Sequence, residues 1–521
     1  MQDFLSTEFV DTLLRTHPND NGNIPESWAS WWAWAGSAAS CVSSSHVSAA
    51  PWMRLLEYYC SGTQTPTALQ RVNIRPFEYQ DADIPEQLRV FIEKLRQLSL
   101  DRTPIDIHGQ WHAVPTIQAS AVGMSPKKSH EVFRMTAYVA SFIRGCGIDP
   151  ATACIVDVGA GQGYLTRTLQ LHIQCRGILA LDGDDAQTAG AKKWEKKLCI
   201  EDSVTHRTIW ITPMNLIETV DQWAADLQRA DDESMPVFFV ALHACGSLTP
   251  TILRTFAEGR RRLSSRIEGT PPLWHPAGVV AVGCCYNLMH PDDFPMSTAL
   301  ISHRQNMSPP ASALPASAYH LATQIPGVWV QTPEALTNAT LAVRKIVWRA
   351  LLSHDFSLKP FTAKSTSREF ELHSDLSCAR GETPSARRQS CIGTEGTGMR
   401  PEMQRLGKLN NKFYDNWEDF VAAAAERMGF KPIQEGTRPD PEKRYALENQ
   451  LSVLHILRCM TGPLVESLVV SDRRAWLVEQ LNGTSDATEY ASSMMVAIVN
   501  LFDQATGSGR NIAITAVPRH D

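Results

Sequence analysis

Three stretches of this chain hold residues whose types and spacing could do chemistry. In the first, Val156-Asp157-Val158-Gly159-Ala160-Gly161-Gln162-Gly163-Tyr164, an acid and three glycines stand between an apolar run and an amphipathic one. Glycines in such a turn let the backbone approach a ligand at the carboxyl end of a strand, where open α/β sheets bind their ligands. A dinucleotide fingerprint wants glycine where Tyr164 stands and an apolar residue where Asp157 stands, so hydride transfer with a nicotinamide cofactor is the weaker reading. The second stretch, Leu181-Asp182-Gly183-Asp184, offers a carboxylate able to accept from two hydroxyls at once, with Asp182 better placed than Asp184.

The third is made by two segments, His243-Ala244-Cys245-Gly246 and Cys284-Cys285-Tyr286, each at the end of an apolar run. Histidine is the side chain whose ordinary pKa falls near neutral pH, so His243 suits a general base for a hydroxyl or amine. In a doubly wound sheet His243, Cys245, Cys285 and Tyr286 would border the ligand crevice. His243, Cys245, Cys284 and Cys285 are also zinc-ligand types, but adjacent strand residues point to opposite faces, so the vicinal cysteines coordinate jointly only with difficulty and no metal is expected.

The elements that must hold these residues follow from periodicity. Apolar runs at Cys154–Val158, Gly177–Asp182, Thr208–Thr212, Val237–Leu242 and Val279–Cys285 alternate with amphipathic stretches at Tyr164–Gln174, Asp184–Cys199, Leu216–Arg229 and Pro250–Leu263, the last with Thr249 as N-cap. That alternation predicts an α/β fold with a doubly wound, Rossmann-like parallel sheet. Residues 1–122 read as an N-terminal helical domain, in which Trp28, Trp31 and Trp32 form a stripe expected to pack inward. The segments at about 300 to 330 and 355 to 405 are rich in Ser, Pro, Thr, Gly and Arg and read as loop or disorder. Helical patterning returns at Asn416–Met428, Arg444–Met460 and Leu464–Leu481, and two apolar runs, Met495–Phe502 and Asn511–Val517, suit a closing β-hairpin.

The chain has 521 residues, 43% hydrophobic and 20% charged, which fits a globular protein of several domains. A net charge of −6 provides no global field for nucleic acid. The local clusters Lys192, Lys193, Lys196, Lys197 and Arg260–Arg262 read first as solvated helix faces. Twelve cysteines without a CxxC pair read as reduced thiols. No membrane span or signal segment is evident, so a cytoplasmic or nuclear location is expected.

The acidic residue followed by GxGxG resembles motif I of the class I S-adenosylmethionine-dependent methyltransferases. The resemblance implies that Asp157, Gly159, Gly161 and Gly163 hold S-adenosyl-L-methionine and that Asp182 takes its ribose hydroxyls. The segments SPKKSHEV, VDVGAGQGYLTR, LHACGSL and VGCCYNLM, in that order, with LFD and GRNIAI near the end, resemble the methyltransferase-like protein 25 family, which includes ribosomal RNA adenine dimethylase domain-containing proteins. The HxCG and CCY elements are also similar to those of an RNA 2′-O-methyltransferase group acting on tRNA. An Asn/Asp-Pro-Pro-aromatic signature for adenine N6 is absent, its place being taken by His243-Ala-Cys245-Gly246.

Together these imply a methyltransferase core over 123–300 completed by a hairpin at 494–521, with a helical insertion over 301–493. The expected site has Asp157, Gly159, Gly161, Gly163 and Asp182 on the cofactor, Lys128 (beside Lys127, His130 and Glu131) at its amino-acid end, and His243, Cys245 and Tyr286 toward the methyl acceptor. RNA and protein are the acceptor classes to test. A non-catalytic scaffold with a methyltransferase fold is the competing expectation.

Overall fold

The computed structural model describes residues 1–19, 24–37, 50–61, 84–107, 120–200, 203–228, 234–264, 272–308, 310, 313–355, 406–428, 440–482, 494–504, 506 and 508–519. A seven-stranded sheet forms its centre, built from β1 (Cys154–Val158), β2 (Gly177–Asp182), β3 (Val204–Thr208), β4 (Met235–Ala244), β5 (Trp274–Gly283), β6 (Met494–Asn500) and β7 (Ile512–Pro518). Their order is β3-β2-β1-β4-β5-β7-β6. Strands β1 to β5 run parallel, while β7 pairs antiparallel with both β5 and β6.

The β1 sequence CIVDV is buried at every position because helices cover both faces. Val156 and Val158 point into one apolar layer with Leu179, Phe239 and Val279, and Ile155 points into the other with Leu165, Leu169 and Val240. The chain leaves β1 toward β2 and β3 on one side and returns to β4 and β5 on the other. This reversal puts the ligand crevice at the carboxyl ends of β1 and β4.

Four sequence expectations need correction. The third strand is Val204–Thr208 rather than Thr208–Thr212. It is an edge strand with a polar sequence, VTHRT, and the apolar Ile209 and Ile211 that attracted the reading pack against the sheet from coil. The helix after β4 begins at Leu248, so Thr249 lies inside it, its hydroxyl donating to the Ala244 carbonyl at 3.1 Å. The segment near 300 to 330 contains helices at Thr298–Asn306 and Ala316–Leu321 and a 3-10 turn at Pro326–Val330. Finally, the two C-terminal helical stretches are one helix, Pro441–Asn482, running through Pro463. At Gly462 any Cβ would run into the carbonyl oxygen of Leu321, so only glycine admits that close approach. The stretch 356–405 lies outside the described residues.

Trp28 and Trp31 are fully buried with Leu13, Leu55 and Leu88, and they share one apolar core with Leu454, Leu457 and Val465 of the long helix. That helix is long and apolar enough to cross a membrane by length and composition, yet 89% of its most apolar window is buried inside the protein.

Candidate active site

At the end of β1 the backbone turns so that Gly159 N–H and Ala160 N–H both donate to Leu181 O, at 2.8 and 2.9 Å, fixing the turn to the end of β2. Gly161 has φ +56° and open space where a Cβ would be, so this turn presents bare backbone to a ligand. Its N–H donates to Asp182 Oδ2 at 2.9 Å, and Asp182 Oδ1 accepts from Asp184 N–H at 2.9 Å. Asp182 thus stands half-buried beside the turn. The Asp184 carboxylate instead caps the helix Asp185–Leu198 through Ala186 N–H.

Asp157 is 1% exposed, and its Oδ2 accepts from the Thr166 hydroxyl at 2.6 Å. Burial first, then the charge of Asp182, pushes its carboxyl up to about 6 against the opposing Thr166 hydrogen bond. The side chain therefore secures the helix Tyr164–Ile173 to the turn from within and has no free face for a ligand. Sequence reasoning passed over Trp210, which follows β3. Its ring is 82% exposed and lies against Gly183, in the loop after Asp182. A solvent-facing tryptophan over a conformationally tight carboxylate loop was detectable only once β3 was placed upstream of it.

Lys128 opens the helix Pro126–Gly145, whose N-cap Ser125 accepts from Lys128 N–H at 3.2 Å. Its Nζ pairs with Glu131 Oε2 at 2.8 Å, one turn along, which offsets the unfavourable charge at the helix start. The same Glu131 oxygen lies 2.8 Å from His243 Nε2. A carboxylate oxygen only accepts, so the Nε2 proton sits between His243 and Glu131. Lys128 Nζ at 2.9 Å from Nε2 is then a close neighbour, both groups donating to Glu131. Glu131 is buried, which would raise its pKa, but the hydrogen bond and charge of His243, followed by those of Lys128, hold it down to about 2. His243 Nδ1 has no hydrogen-bond partner among the described residues and keeps its lone pair free to take a proton. The expected approach of Lys128 to a cofactor's amino-acid end is replaced here by a salt bridge that orients His243.

Cys245 is exposed two residues after His243, and its sulfur meets those of Cys284 and Cys285. The sequence argument against joint approach fails because β5 stops at Gly283, so the vicinal pair lies beyond the strand and its alternation. Tyr286 is not at the crevice. It is 1% exposed, its hydroxyl donates to Glu466 Oε1 at 3.0 Å on the long helix, and Arg473 lies over its ring at 5.5 Å. The turn after Cys285 sends this side chain inward, away from the sheet edge. Of the basic clusters, Arg261 and Arg262 are paired with Glu258, Arg262 also with Asp221, and Lys197 lies over Trp194.

Residues 127–267 match the family model described as a methyltransferase domain. A stretch of 75 residues is 37% identical to "Probable methyltransferase-like protein 25" of Mus musculus, covering 14% of this chain and 12% of that protein. Among solved structures, geranyl diphosphate C-methyltransferase from Streptomyces coelicolor A3(2) aligns over 49% of this chain and 72% of its own at 14% identity and a TM-score of 0.20. The plantazolicin methyltransferase BpumL in complex with SAH aligns over 51% and 89%, at 12% identity and the same TM-score. At such scores these likenesses add nothing on ligand or acceptor.

Proposed function

We infer, from the methyltransferase domain that this chain carries at residues 127–267, that it transfers a methyl group from S-adenosylmethionine to a hydroxyl or amine acceptor, with His243 as the base. The observation that carries this reading is the Glu131–His243 pair at the carboxyl end of β4, next in the sheet to the glycine turn of β1. The residues fit the cofactor: Gly161 leaves open space at the turn, and the half-buried Asp182 carboxylate has lone pairs remaining for ribose hydroxyls. Trp210 offers a flat apolar face for the adenine ring.

When bound, the cofactor supplies an electrophilic methyl group. The chain's own work is to align the acceptor with that methyl and to receive the acceptor's proton at His243 Nδ1, which Glu131 orients through Nε2. RNA is the acceptor class we favour, because the HxCG and CCY elements resemble those of an RNA 2′-O-methyltransferase group acting on tRNA. Calorimetric titration of the purified protein with S-adenosylmethionine, followed by transfer of labelled methyl from it to fractionated cellular RNA and protein, tests the reading. Binding with label in RNA that disappears in His243→Ala supports it. Binding without transfer to any fraction overturns the enzymatic assignment and favours the scaffold.

A further inference from the structure

Cys245 follows β4, and Cys284 and Cys285 follow β5, its parallel neighbour. Cys284 N–H donates to Ala244 O at 3.4 Å, so the two strand ends are joined immediately before the thiols. Their sulfurs stand 2.9 Å (Cys245 to Cys284), 3.4 Å (Cys245 to Cys285) and 3.7 Å (Cys284 to Cys285) apart. None of these is a disulfide, whose bond is about 2.05 Å. Three thiolates bound tetrahedrally at about 2.3 Å would stand roughly 3.8 Å apart, a small opening of the observed triangle. A [4Fe–4S] cluster, in which each cysteine binds a different iron, spreads its cysteine sulfurs much further.

We propose that Cys245, Cys284 and Cys285 bind one zinc(II) ion, with the fourth coordination position open to solvent. Soft thiolates select zinc over the hard cations magnesium and calcium. Cys285 accepts hydrogen bonds from both other thiols, and the positive charge of Arg510 acts on it. Zinc binding releases the thiol protons to solvent. Arg510 then offsets the net negative charge that three thiolates leave on a divalent ion. Among the described residues the cluster contains no fourth protein ligand. His243 is close in sequence, but its Nε2 is taken up by Glu131. Since Cys245 is exposed, a water molecule can complete the tetrahedron.

The inference is independent of methyl transfer. Protein purified without chelator is expected to contain about one zinc per chain by elemental analysis, as one three-cysteine site requires. The Cys245→Ser variant, at an exposed position and checked for intact folding by circular dichroism, is expected to lose it, whereas Cys199→Ser, at an exposed thiol elsewhere, keeps it. Protein stripped of metal and kept reduced should take up one equivalent of zinc chloride against a competing chelator, and cobalt(II) in its place should give a thiolate charge-transfer band. Failure of the stripped, reduced protein to bind zinc overturns the proposal. So does zinc retained in Cys245→Ser, or a native mass lighter by two hydrogens that maps to a Cys245–Cys284 disulfide.

Discussion

Glu131 Oε2 and His243 Nε2 lie 2.8 Å apart although 112 residues separate them in the chain. The helix before β1 and the end of β4 are thereby joined by a single buried carboxylate. Its folded pKa of about 2 is below the ordinary 4.5, so its stabilising contribution is complete above pH 4.5 and is lost as pH falls toward 2. Glu131→Gln is accordingly expected to be destabilised by up to about 3 kcal/mol at pH 7, with the deficit shrinking in acid. Urea unfolding of both proteins at pH 7 and pH 3 measures this. An equal deficit at the two pH values would show that the charge is not what matters.

Asp157 has the opposite sign. Its folded pKa of about 6 exceeds the ordinary 3.8, so stability is greatest below pH 3.8 and is lost as pH rises through 6. Asparagine keeps an oxygen for the Thr166 hydroxyl and carries no charge. Asp157→Asn should therefore be more stable than the parent at pH 7.5, by up to about 3 kcal/mol, and nearly equal to it at pH 4. Thermal melts across that range would reveal the crossing curves, and parallel curves would refute the burial argument.

Asp182→Ala removes the acceptor for Gly161 N–H and the carboxylate offered to the ribose. Affinity for S-adenosylmethionine should fall by about 10- to 100-fold, the equivalent of one or two charge-assisted hydrogen bonds. Calorimetry reports it directly, and unchanged affinity would move the cofactor elsewhere.

Tyr286→Phe separates packing from catalysis. Loss of the hydroxyl leaves Glu466 Oε1 without that donor in a buried setting and should cost about 1–3 kcal/mol of stability. Methyl transfer per folded molecule should stay unchanged. A lowered kcat with intact stability would return Tyr286 to the crevice.

The glycine turn and the sheet around it were legible because the signal is local: an apolar run, glycines at fixed spacing and a helix within about twenty residues. The third strand was not, since an edge strand pairs on one side only and VTHRT lacks the apolar run of a central one. The long helix was divided because glycine followed by proline reads as a break. Tertiary packing of Leu321 against Gly462 overrides that local preference. In the sequence Glu131 is only a neighbour of Lys128, and its meeting with His243 depends on contacts that no local spacing encodes. Tyr286 was drawn to the crevice by sequence adjacency to Cys285, whereas the chain turns between the two.

The helix Pro441–Asn482 ties the two halves of the molecule together. Leu454, Leu457 and Val465 belong to the helical core, while Val470 and Leu477, further along the same rod, belong to the layer beneath the sheet. Glu466 and Asp472 on that rod hold Tyr286 and Ser297, on the stretch that leads away from the cysteine cluster. Heating should therefore melt the helical half and the sheet in one cooperative transition. Trimming the chain to a bare transferase core would strip a supporting wall from the sheet instead of releasing a self-sufficient module.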